Sequence, residues 1–255
     1  MKATALPVAA VFSVLAASAY AADLGIPVGA PPAPPPFTWT GCYAGVQGGG
    51  GWGQTNLNDS ALVVSPVSGF TSANTNISGF LLGGEIGCDY QFAANWVAGI
   101  EGSAAWTNIS GSNAGVATPG LAFPDTATFT ENTDLLASVT GRFGYAWNNW
   151  LFYGKGGGAW AANRYSAFDV AQTYDFQGLE TRFGWTAGAG VEWAFWPNWS
   201  IKLEYDYYGF GTRSVTFIDS ITGTVGPLDI RQNIQTVKLG VNLHVFGPTA
   251  APLGW

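Results

Sequence analysis

Apolar and polar residues alternate with a period of two along most of the chain from Trp39 onward. Between Asn95 and Asn108, Trp96, Ala98, Ile100, Gly102, Ala104 and Trp106 share one face, while Val97, Gly99, Glu101, Ser103 and Ala105 share the other. The same split separates Leu135, Ala137, Val139, Gly141, Phe143, Tyr145 and Trp147 from Leu136, Ser138, Thr140, Arg142 and Gly144. It recurs in Trp199, Ile201, Leu203, Tyr205 and Tyr207 against Ser200, Lys202, Glu204, Asp206 and Tyr208. One face is uncharged and the other carries the acids and bases. Successive side chains of a strand point to opposite faces, so this pattern predicts strands with two unlike environments.

Eight segments are predicted as strands: 39–53, 78–92, 96–109, 132–147, 150–163, 181–195, 199–210 and 230–246. Their connections alternate in length. Ala93-Ala94-Asn95, Asn148-Asn149 and Trp196-Pro197-Asn198 are short turns with Asn or Pro chemistry, whereas 54–77, 110–131, 164–180 and 211–229 are long. The fold class is therefore all-β, an eight-stranded antiparallel up-and-down barrel with both termini at the short-turn end.

A soluble barrel is apolar inside, and a transmembrane barrel is apolar outside. The aromatics discriminate between them. Phe80 and Tyr90, Trp96 and Trp106, Trp150 and Trp160, and Trp185 and Phe195 are pairs ten residues apart on the uncharged face of their strands. Ten residues of tilted strand climb roughly 25 Å, the separation of the two aromatic girdles of a membrane barrel. Trp96, Trp147, Trp150, Trp196 and Trp199 crowd the short turns, where Trp favours a membrane interface.

Composition agrees. Only 10% of the 255 residues are charged, 15% are aromatic and 36 are Gly, against roughly 25% charged in ordinary domains. A net charge of -7 without a Lys/Arg cluster excludes a nucleic-acid footprint. The first residues read as an export signal: Met1-Lys2 is the positive region, Leu6 to Ala17 the apolar run, and Ala19-Tyr20-Ala21 the cleavage pattern. The domains are thus a signal peptide over 1–21, a Pro-rich periplasmic leader over 22–37, an outer-membrane β-barrel over 38–246 and a tail over 247–255.

Several stretches resemble a known family. Trp39-Thr-Gly-Cys-Tyr-Ala-Gly-Val-Gln-Gly-Gly-Gly-Gly-Trp-Gly, Gly83-Gly-Glu-Ile-Gly-Cys-Asp-Tyr-Gln, Val97-Ala-Gly-Ile-Glu-Gly, Gly154-Lys-Gly-Gly-Gly-Ala-Trp and Leu239-Gly-Val-Asn-Leu are similar to the outer-membrane immunogenic-protein family of small OmpA-like barrels. The resemblance implies a porin-like surface antigen of a Gram-negative outer membrane, in contact with lipid and lipopolysaccharide. For some relatives it also implies haem binding. The chain departs from the family in ending Leu243-His-Val-Phe246 before its tail, and in carrying Cys42 and Cys88 where aromatics are expected.

Parity assigns the lumen. Glu85, Asp89, Glu101, Glu192, Glu204 and Asp206 face inward with Arg142, Lys155, Arg182, Lys202 and Lys238. An eight-stranded barrel has room only for side chains, so these charges are expected to pair as a polar plug. A narrow water path lined by charge is the alternative, which keeps a small-solute porin open beside a structural surface protein. The outer connections carry Asp59, Asp125, Glu131, Asp169, Asp175, Glu180, Asp219 and Asp229 against Arg164 and Arg213, so an acidic surface is expected there, and a loop-mediated receptor or adhesin is a further reading. Their ligand is not named by this chemistry.

No enzyme is expected. The only His is His244, inward at the periplasmic rim and remote from an outer-rim active site. No cofactor or metal motif is present: HxH and CxxC are absent, and Tyr165 and Tyr174 carry no mark of a haem ligand. Cys42 and Cys88 are expected as cross-strand neighbours, because register positions summing to about 130 pair Trp39 with Gln91 and 42 with 88. In an oxidising compartment they predict a disulfide, against the alternative of two independent small apolar side chains facing lipid.

Overall fold

The computed structural model describes residues 37–58, 72–114, 128–168, 175–219 and 225–246. The signal peptide, most of the Pro-rich leader and the tail expected from the sequence lie outside them. Eight strands form a closed antiparallel barrel in sequence order: β1 (Gly41–Asn58), β2 (Ser72–Phe92), β3 (Trp96–Ala114), β4 (Thr128–Trp147), β5 (Trp150–Phe168), β6 (Asp175–Trp196), β7 (Trp199–Asp219) and β8 (Val225–Phe246), with β1 pairing β8. At the short-turn end the predicted ends hold to within two residues. At the other end every strand runs further than expected. Polar alternation continues there, as in exposed Gln54 against buried Thr55 or exposed Asn76 against buried Thr75, so the barrel wall projects beyond its apolar band.

The short turns follow from their residues. Asn148 takes φ 53°, the left-handed conformation that Asn tolerates in a two-residue hairpin. Each turn also ties to the next strand: the carbonyls of Asn95, Asn149 and Asn198 accept from the amides of Ala146, Ala194 and His244 at 2.7, 2.9 and 2.8 Å. Asn95 and Asn149 add side-chain bonds to the carbonyls of the same strand ends.

All eight residues of the four aromatic pairs are exposed on the outer wall. Between the rings they form, Val46, Leu82, Ile86, Ile100, Val139 and Leu203 also point outward. Trp39 differs. It lies just before β1 and is 1% exposed, tucked into the short-turn mouth of the barrel against Val97, Ala146, Leu151, Tyr153 and Ala194. Gln91 holds it there by accepting the Trp39 amide at 2.8 Å. Cys42 and Cys88 are register partners in β1 and β2 and are joined by a disulfide.

Candidate functional site

The lumen is the concentrated chemistry of the molecule, and strand alternation builds it. Odd positions point inward on β1, β2, β3 and β5, and even positions on β6, β7 and β8. All eleven charged residues assigned to the lumen by parity are buried. Ten of them form one connected network among the described residues.

Arg142 on β4 is its lower hub. Its guanidinium takes Asp89 as a two-point partner, donates to Glu192 at 3.2 Å and lies 3.6 Å from Glu101. It is also sandwiched between the rings of Tyr43 and Tyr153, at 4.7 and 5.0 Å. Lys155 bridges Glu101 and Glu204 at 2.8 and 2.7 Å. Lys202 meets Glu85, Glu101 and Glu204 at 2.6, 3.2 and 3.2 Å, and Lys238 meets Glu204 and Asp206 at 2.8 and 2.5 Å. Tyr43 and Tyr153 donate their hydroxyls to Glu101 and Glu204. These two tyrosines were not singled out by the sequence reading. The signal was available, since they share inward parity with Gln47 and Lys155.

Arg182 does not join this network. It pairs with Glu180 at 2.8 Å, donates to the Ile230 carbonyl at 3.1 Å and lies over the Tyr165 ring. What separates it from the ten is an apolar layer across the bore: Ile77, Ile109, Leu136, Ala159, Ala161, Tyr208, Phe210 and Ile234, each at most 5% exposed. Above this layer Glu131, Thr133, Asn163, Tyr165, Gln232 and Arg182 form a second buried polar cluster.

Glu131 corrects a second expectation. Placed by the sequence on a solvated outer connection, it is wholly buried and accepts from Gln232 Nε2 at 2.6 Å. β4 begins at Thr128 and not at 132, and the side chain is turned inward by a bulge between Thr133 and Leu135. Below it, even positions of β4 point inward; above it, Thr133 and Glu131 do. Glu131 pairs in register with Gly111 and Tyr165, each five residues past Trp106 and Trp160 of the outer girdle, so it stands outside the membrane-spanning stretch. Burial pushes its carboxyl up to about 7, against the charge of Arg182. Glu180, Asp175, Asp219 and Asp229 also belong to strands, whereas Asp59, Asp125 and Asp169 lie outside the described residues, as does Tyr174.

At the short-turn end, His244 Nε2 lies 3.1 Å from Ser200 Oγ and 3.8 Å from Glu192 Oε1. The trio has the residue types of a nucleophile system but not its arrangement. Ser200 donates to Glu192 at 2.5 Å, and His244 is roofed by Trp39, Phe37 and Tyr43 at ring distances of 5.9, 6.4 and 5.8 Å. Ser200 itself is fully buried beneath that cover. Among the described residues no group of three or more His, Cys, Asp or Glu is arranged to hold a metal ion.

A family model described as outer membrane protein beta-barrel domain matches residues 8–244. The 31 kDa outer-membrane immunogenic protein of Brucella melitensis is 30% identical over 244 residues, which cover 92% of this chain and 96% of that one. An uncharacterized protein of Coxiella burnetii is 28% identical over 192 residues, or 68% and 72% of the two chains. Among solved structures, the outer membrane protease OmpT of Escherichia coli superposes with a TM-score of 0.51 at 8% identity, covering 82% of this chain and 98% of that one. At such identity the likeness is one of fold alone.

Proposed function

The chain belongs to the outer membrane β-barrel family and resides in the outer membrane of a Gram-negative cell; from that premise we propose that it is a sealed, structural barrel that displays its long connections at the cell surface. The observation that carries this is the apolar layer of Ile77, Ile109, Leu136, Tyr208, Phe210 and Ile234 closing the bore above the ion network. Water and ions crossing the lumen would have to wet that layer and break ion pairs buried to within a few per cent of full coverage. Both steps are costly: the first strips hydrogen bonds from water, and the second leaves charges unpaired in a low-dielectric space. The uncharged band of the outer wall between the aromatic rings suits contact with lipid and, on the outer leaflet, with lipopolysaccharide. Among the described residues the lumen's charged groups are engaged with one another, and the cover over Ser200 and His244 favours a non-enzymatic role.

Planar-bilayer recording tests this. A sealed barrel gives a flat trace at voltages where porins conduct. Stable, reproducible steps from the purified wild type would overturn the reading in favour of a small-solute pore.

A further inference from the structure

The charges of the lumen network do not balance. Glu85, Asp89, Glu101, Glu192, Glu204 and Asp206 face only four permanent cations, Arg142, Lys155, Lys202 and Lys238, with His244 at the margin, 3.8 Å from Glu192. A deficit of positive charge in a buried space needs an answer. It is also localised. Asp89 holds Arg142 through two nitrogens, and Glu101, Glu192, Glu204 and Asp206 each have two or more donors or cations. Among the described residues Glu85 meets Lys202 alone, as an ion pair through Oε2 at 2.6 Å without hydrogen-bond geometry, and its Oε1 has neither an ion-pair nor a hydrogen-bond partner.

Two more buried oxygens without donors belong to inward residues at adjoining register positions. Gly45 on β1 is the register partner of Glu85 on β2 and of Asn242 on β8. Asn242 Nδ2 donates to Glu192 at 3.0 Å, which fixes the amide and turns Oδ1 the other way. That Oδ1 is unpartnered and sits over Gly45, where a Cβ would collide with it. Gln47, the next inward residue of β1, also has an unpartnered Oε1. The three side chains are 4%, 0% and 3% exposed, so bulk water does not satisfy them.

One carboxylate and two amide carbonyls without donors are the ligand set of a hard cation. A proton on Glu85 would serve one of the two carbonyls, and a water molecule would bring no charge. A cation serves all three and reduces the deficit. The Lys202 ammonium on the other Glu85 oxygen, together with a single carboxylate, favours one positive charge over two. We propose that the lumen binds a monovalent metal cation of the sodium or potassium class between Glu85, Gln47 and Asn242, above Gly45. This goes beyond the sealed-barrel reading and is separable from it: conductance steps would overturn the seal, whereas the site is read from stability and scattering.

The test uses the folded protein in detergent, melted in sodium, potassium or N-methyl-D-glucamine chloride at equal pH and ionic strength. The organic cation is too large for the site. The midpoint is expected to be about 2–4 °C higher in saturating sodium or potassium, and rubidium-soaked crystals should show an anomalous peak among the three oxygens. Glu85→Gln removes one acid of the excess, so it should melt no lower than wild type in the organic salt and ignore the metal. Gln47→Leu keeps the charge count and removes one ligand, so it should need several-fold more cation for the same shift. Equal midpoints in all three salts overturn the proposal, as does a midpoint that follows pH but not the metal, which would put a proton at Glu85. If Glu85→Gln does not fold, an unchanged metal response in Gln47→Leu overturns it.

Discussion

Between the girdles the lumen holds six acids around Arg142 and three lysines, while the outer end holds Glu131 and Arg182 above a shelf of Ile, Leu and Phe. The two regions fill the same bore by different means. In the inner one a charge is stabilised by several opposite charges at once, so each depends on its neighbours. In the outer one, Glu131 has a neutral amide as its closest donor, Arg182 is engaged with Glu180, and the apolar shelf below them is held by dispersion and exclusion of water. Loss of one partner should therefore propagate in the inner region and stay local in the outer.

The largest effect is expected at the inner hub. Arg142→Met leaves Asp89 and Glu192 buried beside each other without their shared cation, and breaking a buried pair on one side costs about 3–5 kcal/mol. Urea titration of the barrel in lipid or detergent should show that loss. Removing an acid with it, in Arg142→Met combined with Asp89→Asn, should recover a large part. A double variant as unstable as the single one would mean that Arg142 acts through its packing between Tyr43 and Tyr153 instead.

The outer cluster gives a contrast that pH can read. The Glu131 carboxyl stands at about 7 in the folded barrel against an ordinary 4.5, so over that interval the folded chain holds a proton that the unfolded chain has lost. Stability is then highest below about 4.5 and falls as pH rises toward 7, by roughly 3 kcal/mol at most. Glu131→Gln should flatten that part of the profile while keeping a group able to bond Gln232. A slope that survives the substitution would place the titrating group elsewhere.

The inner region was largely legible in the sequence, and the outer one was not. Strict alternation with no bulge carries Glu85 and Asp89 on β2 to one side without ambiguity, and ring pairs spaced ten apart mark which side is lipid. The register of Cys42 with Cys88 followed from the same arithmetic. Alternation also assigned Arg182 to the lumen but said nothing of its height, so its separation from the ten was invisible. Glu131 was misplaced because the strand was begun at 132 whereas β4 starts at Thr128, and a bulge at Asp134 then adds one residue that turns 131 and 133 inward. Leu136 and Tyr208 had been given inward parity, yet a face that alternates Leu with Ser and Tyr with Asp does not announce a continuous apolar layer; Ile77, Ile109 and Ile234 complete it only once the strands are set side by side.

The apolar shelf supplies the smallest and most discriminating effect. Ile109 is fully buried and meets the space over Gly51, where a Cβ would collide with its Cδ1, so the side chain is packed to its tip. Ile109→Val removes that methyl and should cost only about 0.5–1.5 kcal/mol, far less than Arg142→Met, because its neighbours lose contacts but no charge loses a partner. Its second readout is more telling. If the shelf is what seals the bore, thinning it at Ile109 should raise the frequency of brief conductance events in a planar bilayer, while Arg142→Met at matched stability should not, since the shelf above it is intact. The opposite pattern, with events on loss of Arg142 and none at Ile109, would move the seal from the apolar layer to the ion pairs.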